Sequence, residues 1–303
     1  MIEVVEPGRY TSIQDRGRPG LERFGIPTGG PADWFSAAVA NRLVGNQPDA
    51  ALIEVTMTGP TLRFEREVTI AVTGAAVADV GDANWRAHRA GAGSVFHLGR
   101  VGPGLRSYLA IRGGIDVPLV LGSRSLCGVG GFGGGVGRPL RKGDRLAVGG
   151  MVEAAALQEP WSASHRLAMR GPWEIHVIPG PHTDAFHESV LHRLSATACL
   201  VTPALDRMGV RLDTPGLHLD GAEALTTPMT AGAIQVTTSG GLIALLADHP
   251  TTGGYAVIAT VITADLPLLA QARPGDTMRF REVSLTEASR AWRRLAGWLD
   301  LSA

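Results

Sequence analysis

Hydrophobic residues fall mostly into short β-rich runs that stop at glycine or proline. Val68 to Thr73 ends at Gly74, Tyr108 to Arg112 at Gly113-Gly114, and Trp173 to Ile178 at Pro179-Gly180. Ile234 to Thr238 stops before Gly240-Gly241, and Leu242 to Ala247 follows at once. Many short strands punctuated by turn residues predict a sandwich or barrel. Helical spacing is confined to four stretches. In Pro31 to Asn46, Phe35, Val39 and Leu43 fall four apart, Pro31 suits a first turn and Gly45 a stop. Thr183 to Leu194 and Leu266 to Ala272 read as shorter helices. Near the end, Ser284-Leu285-Thr286-Glu287 is a capping box, and Ala288, Trp292, Leu295 and Leu299 make one face with Trp298 beside it.

The pattern gives a mainly β fold with a few flanking helices, divided into an N-terminal β domain over 1–160 and a C-terminal β domain over 161–303, with interleaving open. Glu153 to Ser164, containing Glu159-Pro160 and little strand pattern, reads as the join. A weak echo supports two related halves: Arg141-Lys142-Gly143-Asp144-Arg145-Leu146 resembles Arg273-Pro274-Gly275-Asp276-Thr277-Met278, each a Gly-Asp turn launching a strand. Gly-Asp turns are also common by themselves.

Composition narrows the function classes. With 45% hydrophobic and 18% charged residues, the 303-residue chain reads as a compact globule. Lys+Arg and Asp+Glu are both 28, which gives no electrostatic pull toward nucleic acid or an acidic membrane surface. Two cysteines make no disulfide framework. Met1 to Glu6 has no basic start leading into an apolar run, and no stretch approaches about 18 apolar residues. The expected location is the cytoplasm.

Familiar catalytic motifs are missing. Gly128 to Arg138 contains seven glycines that invite a phosphate-loop reading but lacks the Gly-Lys-Ser/Thr ending. It reads as either a surface loop or a lid. There is no Cys-x-x-Cys, His-Glu-x-x-His or Gly-x-Ser-x-Gly. His182, His187 and His192 lie five apart, a poor spacing for one helix face, and His88, His97, His165, His176 and His218 show no ligand spacing, so no metal site is expected. The single lysine, Lys142, sits in a turn without the context that carries biotin.

Three segments are dense in polar residues that packing explains poorly. The first is Gln14-Asp15-Arg16-Gly17-Arg18, with Gln14, Asp15 and Arg18 as candidate binding residues, the alternative being a charged turn. In the second, Asp206-Arg207-Met208-Gly209-Val210-Arg211, a strand would turn Arg207 and Arg211 to one face, where paired guanidinium groups bind a carboxylate or carbonyl. The alternative is a solvated strand edge. The third joins Gln235 to Asp248-His249-Pro250-Thr251-Thr252-Gly253-Gly254-Tyr255. Asp248 and His249 after an apolar strand offer acid and base groups, Thr251 and Thr252 add hydroxyls, Gly253 and Gly254 admit a close ligand, and Tyr255 can relay a proton. Gln235, Asp248 and Tyr255 are the catalytic candidates, and the alternative is an elaborate loop with an Asx turn.

Gly-Ala-Ile-Gln-Val from Gly232, Leu-Leu-Ala-Asp-His-Pro-Thr-Thr-Gly-Gly-Tyr ending at Tyr255, and Ile-Ala-Thr-Val-Ile-Thr-Ala-Asp-Leu-Pro after it resemble the allophanate hydrolase subunit 2 family. This biotin-dependent-carboxyltransferase-like group includes KipA-like proteins, the C component of 5-oxoprolinase and part of the urea carboxylase carboxyltransferase domain. Gln14 to Arg18, Asp206 to Gly209, and Tyr108 to Arg124 also match. Leu126-Cys127 depart from the Thr-Asp that many members carry. The resemblance implies a two-domain cyclophilin-like β-barrel architecture and a small amide or lactam substrate. It implies a subunit 1 partner (KipI-like, the B component of 5-oxoprolinase), with the lactam-utilisation A component as a further candidate. It implies an ATP-dependent 5-oxoprolinase component first. Carboxyl transfer from carboxybiotin on a separate carrier is the second reading, and a non-catalytic KipA-like regulator the third.

Overall fold

A computed structural model describes residues 1–75, 77, 79–80, 84–150, 156–157, 159–186, 190–214 and 223–299. His187, His218 and residues 153–155 and 158 of the expected join lie outside them. The chain forms two compact units, Met1–Arg18 with Gly29–Met169, and Pro19–Thr28 with Arg170–Ala303.

The first unit contains β1 (Ile2–Glu6), β2 (Tyr10–Gln14), α1 (Trp34–Leu43), β3 (Leu52–Thr56), β4 (Thr61–Phe64), β5 (Val68–Gly74), β6 (Ala87–Ala90), β7 (Val95–His97), β8 (Arg106–Ile111), β9 (Ile115–Asp116) and β10 (Arg145–Val148). They form two five-stranded sheets, ordered β7-β4-β1-β10-β9 and β2-β3-β8-β5-β6. Ile2, Val4, Leu62 and Phe64 from one sheet and Ile53, Val55, Val72, Leu109 and Ile111 from the other share one apolar core. Removing that surface from water is the main stabilising term, about 25 cal/mol per Å².

The helix expected from Pro31 begins later, at Trp34, because the preceding residues are used elsewhere. The Ala32 N–H donates to Glu54 Oε2 at 2.9 Å and the Asp33 N–H to the Tyr108 hydroxyl at 2.8 Å. Asp33 then caps α1, accepting from the Ser36 N–H at 2.8 Å. Gly45, at φ 78°, ends the helix as expected, donating to the Arg42 carbonyl.

The second unit contains β11 (Trp173–Pro179), α2 (Val190–Ala196), β12 (Cys199–Leu205), β13 (Gly209–Asp213), β14 (Glu223–Pro228), β15 (Ala233–Val236), β16 (Leu242–Leu245), β17 (Thr252–Val261), α3 (Leu266–Gln271), β18 (Thr277–Glu282) and α4 (Leu285–Trp298). The strand order is β11-β18-β12-β13-β16-β15-β17-β14. The end of β17 also pairs with β11, Val177 opposite Val261, so seven of these strands close into a barrel and β14 lies along the first half of β17. Closure removes the exposed edges of an open sheet. The helix expected over Thr183 to Leu194 is a 3-10 turn at Thr183–Ala185 and the separate α2. α3 and the capping box of α4 stand where expected, Ser284 and Glu287 each accepting the other's backbone N–H.

The two Gly-Asp turns share their hydrogen bonding. Asp144 accepts from the Arg141 N–H at 2.8 Å, and Asp276 from the Arg273 N–H at 2.9 Å. Gly143 and Gly275 have φ of 87° and 90° and donate to Val4 and Val201 of β1 and β12.

Candidate active site

β12 and β13 form a hairpin whose turn, Asp206 to Gly209, is shaped by an aspartate. Asp206 Oδ1 accepts from the Met208 N–H at 2.7 Å and the Gly209 N–H at 3.2 Å. Gly209 is required there, since a Cβ would meet the Ala244 carbonyl oxygen at 2.9 Å. Two backbone bonds join this turn to the end of β16. Leu246 N–H donates to the Met208 carbonyl and Asp248 N–H to the Arg207 carbonyl, both at 2.9 Å.

The second and third polar segments, some forty residues apart, therefore meet. Arg207 and Asp248 lock them by a forked ion pair, Nε to Oδ2 at 2.8 Å and Nη2 to Oδ1 at 2.9 Å. Each residue is 6% exposed. A pair this dry is costly to half-remove, because the survivor is left as an uncompensated buried charge.

Beside the pair opens a cavity of about 460 Å³, large enough for a small organic substrate. Arg211, Gln235 and Tyr255 line it together with Asp206, Met208 and Pro250, over Ile243 and Leu245 of β16. Leu245 belongs to an apolar cluster with Met229, Ala233 and Val257, against which Ile243 packs. Arg207 precedes β13 and is buried, whereas Arg211 lies on the strand and is exposed. The two guanidinium groups do not act as the pair their spacing suggests.

Gln235 is 4% exposed, and a register shift follows Ile234 where β15 meets β17. Such bulges re-aim side chains and cluster beside sites. The Gln235 amide nitrogen lies 3.3 Å from the Met229 sulfur. Gly253 supplies the room, because a Cβ there would meet that nitrogen at 2.8 Å. Tyr255 is 40% exposed on β17. Thr252 and Gly254 flank Gly253 at the start of the same strand, and the Thr251 carbonyl accepts from the Met229 N–H at 2.9 Å. His249 is buried, its Nδ1 2.8 Å from the Pro250 carbonyl, so that nitrogen carries the proton. Glu22, from the 19–28 segment of this unit, adds a favourable interaction with His249, and its carboxyl is held below the ordinary range chiefly by the Thr28 hydroxyl.

Gln14, Asp15 and Arg18 belong to the first unit. The buried Asp15 carboxylate accepts from the Ser123 hydroxyl, the Arg124 N–H at 2.6 Å and the Ser125 hydroxyl at 2.8 Å. Arg18 Nε donates to the Val120 carbonyl at 2.9 Å, and its guanidinium lies 5.0 Å from the Phe132 ring centroid. Gln14 donates to Ser12 Oγ at 3.0 Å. The glycine run is closed on the same loop: Gly131 donates to Cys127, Gly134 to Arg124 and Gly137 to Gly133.

One buried polar cluster had no signal in the pattern. Glu54, Arg106 and Tyr108 point into the first unit, with the Tyr108 hydroxyl 3.0 Å from Glu54 Oε2. Burial pushes the Tyr108 phenol well above its ordinary value, the Glu54 and Asp33 carboxylates add to that, and Arg106 opposes it. Met208 and Met229 were also missed as site residues, since a methionine in a β-rich run carries no mark of its surroundings. Asp206 could have been found from its Asp-x-x-Gly turn spacing.

Residues 24–282 match the model of the carboxyltransferase domain, subdomain A and B. The chain is 37% identical over 301 residues to the C component of 5-oxoprolinase from Escherichia coli, covering 96% of this chain and 94% of that protein. It is 36% identical to the urea amidolyase of Saccharomyces cerevisiae over 96% of this chain and 17% of that protein. The crystal structure of the K. lactis urea amidolyase superposes on the whole chain with a TM-score of 0.91 at 33% identity, over 20% of its own length. With the barrel, the matched segments and these relatives in agreement, the chain belongs to the carboxyltransferase domain family.

Proposed function

We propose that this chain is a cytoplasmic component of an ATP-dependent 5-oxoprolinase, which opens the lactam of 5-oxoproline to glutamate. The observation that carries the reading is the match to the C component of 5-oxoprolinase over nearly the full length of both chains. The cavity chemistry supports it. Arg211 would take the substrate carboxylate by a forked pair of hydrogen bonds. The Gln235 amide would align the lactam amide, and the Tyr255 hydroxyl would hold or pass a proton at the ring carbonyl. Arg207 and Asp248 act as positioning residues that hold Pro250 and Tyr255 over the cavity.

Among the described residues, the glycine run does not fit the phosphates of a nucleotide. The glycine run spends backbone donors on its own loop, and at Gly133 even a Cβ would meet the Ser125 carbonyl oxygen at 2.1 Å. We place ATP with the two proposed partners, the KipI-like subunit 1 and the lactam-utilisation component, and give the residues of this chain the binding and positioning of the lactam. The similarity to urea amidolyase supports a second reading, carboxyl transfer from carboxybiotin held on a separate carrier.

The test is ATP-dependent glutamate release from 5-oxoproline by the partner proteins, with and without this chain. Glutamate formed only with the chain present supports the first reading. A folded complex that forms none, but carboxylates urea when given a biotinylated carrier, replaces it with the second.

A further inference from the structure

A second hollow of the second unit, about 310 Å³, shares no lining residue with the candidate active site. His176 of β11, Arg281 of β18, and Arg290 and Arg294 of α4 surround it, with Ile262 and Val283 supplying apolar surface. Arg290 and Arg294 stand one helical turn apart and so share a face. Arg294 lies 5.9 Å from the Trp298 ring centroid, and neither arginine forms an ion pair among the described residues.

The acids around this hollow are committed. Glu287 accepts from the Ser284 N–H and hydroxyl, both at 2.8 Å, as the helix cap. Glu174 accepts from Arg281 Nε at 3.1 Å. Asp265, 7% exposed, accepts from the His176 N–H and lies 2.7 Å from His176 Nδ1. That contact puts the ring proton on Nδ1 and leaves Nε2 to accept from Arg281 Nη2 at 2.5 Å.

We infer that this hollow binds a small tetrahedral oxyanion of the phosphate class, held by Arg281, Arg290 and Arg294 with His176 as a proton-dependent fourth contact. Guanidinium groups from a strand and a helix line the same hollow, an arrangement that suits an anion with acceptors on several sides better than a planar carboxylate, which one fork satisfies. When His176 takes a second proton, its Nε2 stops accepting from Arg281. Both groups then carry N–H donors beside the hollow, where a bound anion competes with Glu174 Oε1, 3.4 Å from Nε2, to accept them, so anion binding and proton uptake at His176 reinforce each other. Glu174 and Asp265 face the same imidazole, at 3.4 Å from Nε2 and 2.7 Å from Nδ1, and Glu287 lines the hollow beside the arginines.

Inorganic sulfate is the suitable probe, since its charge stays constant over the interval of about pH 5 to 8 in which histidine titrates. Titration calorimetry on the full chain at low ionic strength should give saturable binding that tightens several-fold toward the acid end. Arg290→Gln with Arg294→Gln should weaken it at least about tenfold, through loss of charge-assisted hydrogen bonds. Arg293→Gln, on the same helix but not lining the hollow, should leave it unchanged. His176→Gln should retain binding and lose its pH dependence. All four positions are at least partly exposed, and unchanged melting temperatures will show that the fold survives. No saturable binding, or equal weakening by Arg293→Gln, would overturn the site. A pH dependence that survives in His176→Gln would remove the histidine from it.

Discussion

In the first unit Asp15 and Arg18 are buried side by side and spend themselves on one loop. Asp15 accepts from Ser123, Arg124 and Ser125, and Arg18 donates to the carbonyls of Val120, Ser123 and Ser125. In the second unit Arg207 and Asp248 are as dry but bond to each other, and a cavity with Arg211, Gln235 and Tyr255 on its walls opens beside them. Both clusters look alike as polar segments of sequence. The difference is capacity: the first has its groups turned inward on the backbone and hydroxyls of one loop, and the second leaves an amide, a phenol and a guanidinium beside empty volume. Buried charge alone does not mark a site. Buried charge that holds unspent groups at the rim of a void does.

The largest effects should come from breaking either cluster. Asp15→Ala and Asp248→Asn should each cost about 3–5 kcal/mol in denaturant melts, since each strands buried partners. The comparison sharpens in the double replacement Arg207→Met with Asp248→Leu, which should recover much of that stability, as apolar replacements of buried ion pairs do, without recovering turnover. Recovered turnover would show that the pair does not position the cavity wall.

Tyr108 is next. Its raised phenol pKa means the folded state keeps a proton that the unfolded state gives up. The stability it contributes is present below about pH 10, the ordinary tyrosine value, and is lost as pH rises from there toward the folded value. Cys199, whose thiol burial pushes up to about 12, acts in the same direction. Stability should therefore fall on the alkaline side, and Tyr108→Phe should flatten the fall while costing about 1–3 kcal/mol at neutral pH by leaving Glu54 short of a donor. An unchanged alkaline limb would remove Tyr108 from this role.

Smaller in stability but large in activity is Gly253→Ala. The added methyl displaces the Gln235 amide, and shifts of about 1 Å can cost about 10²-fold in turnover. Arg211→Ala, on an exposed strand position, should change stability by no more than about 0.5 kcal/mol, yet raise KM for an anionic substrate.

Much of this was legible in the chain. The runs at Val68, Tyr108, Trp173, Ile234 and Leu242 became strands, because β-rich runs bounded by glycine have few other options. The capping box at Ser284 and the stop at Gly45 are local chemistry and stood where expected. The start of α1 was not legible, because it depends on Glu54 and Tyr108, which reach Ala32 and Asp33 only through the fold. The candidate site was legible as an inventory but not as an arrangement. Asp206 to Arg211 and Asp248 to Tyr255 were both marked, while the partition of the two arginines, one clamped and one facing the cavity, follows from where β13 begins. Met229 and Gly253 form part of the Gln235 environment through a bulge that strand alternation does not announce.

The central claim, that the cavity beside the Arg207–Asp248 pair is where substrate is turned over, is tested most directly at Gln235. Gln235→Ala, assembled with its partner proteins, should release glutamate from 5-oxoproline at least about 10²-fold more slowly than the unmodified complex, while the complex forms and melts as before. Unchanged turnover in a folded, assembled Gln235→Ala complex would contradict the claim and place the chemistry elsewhere.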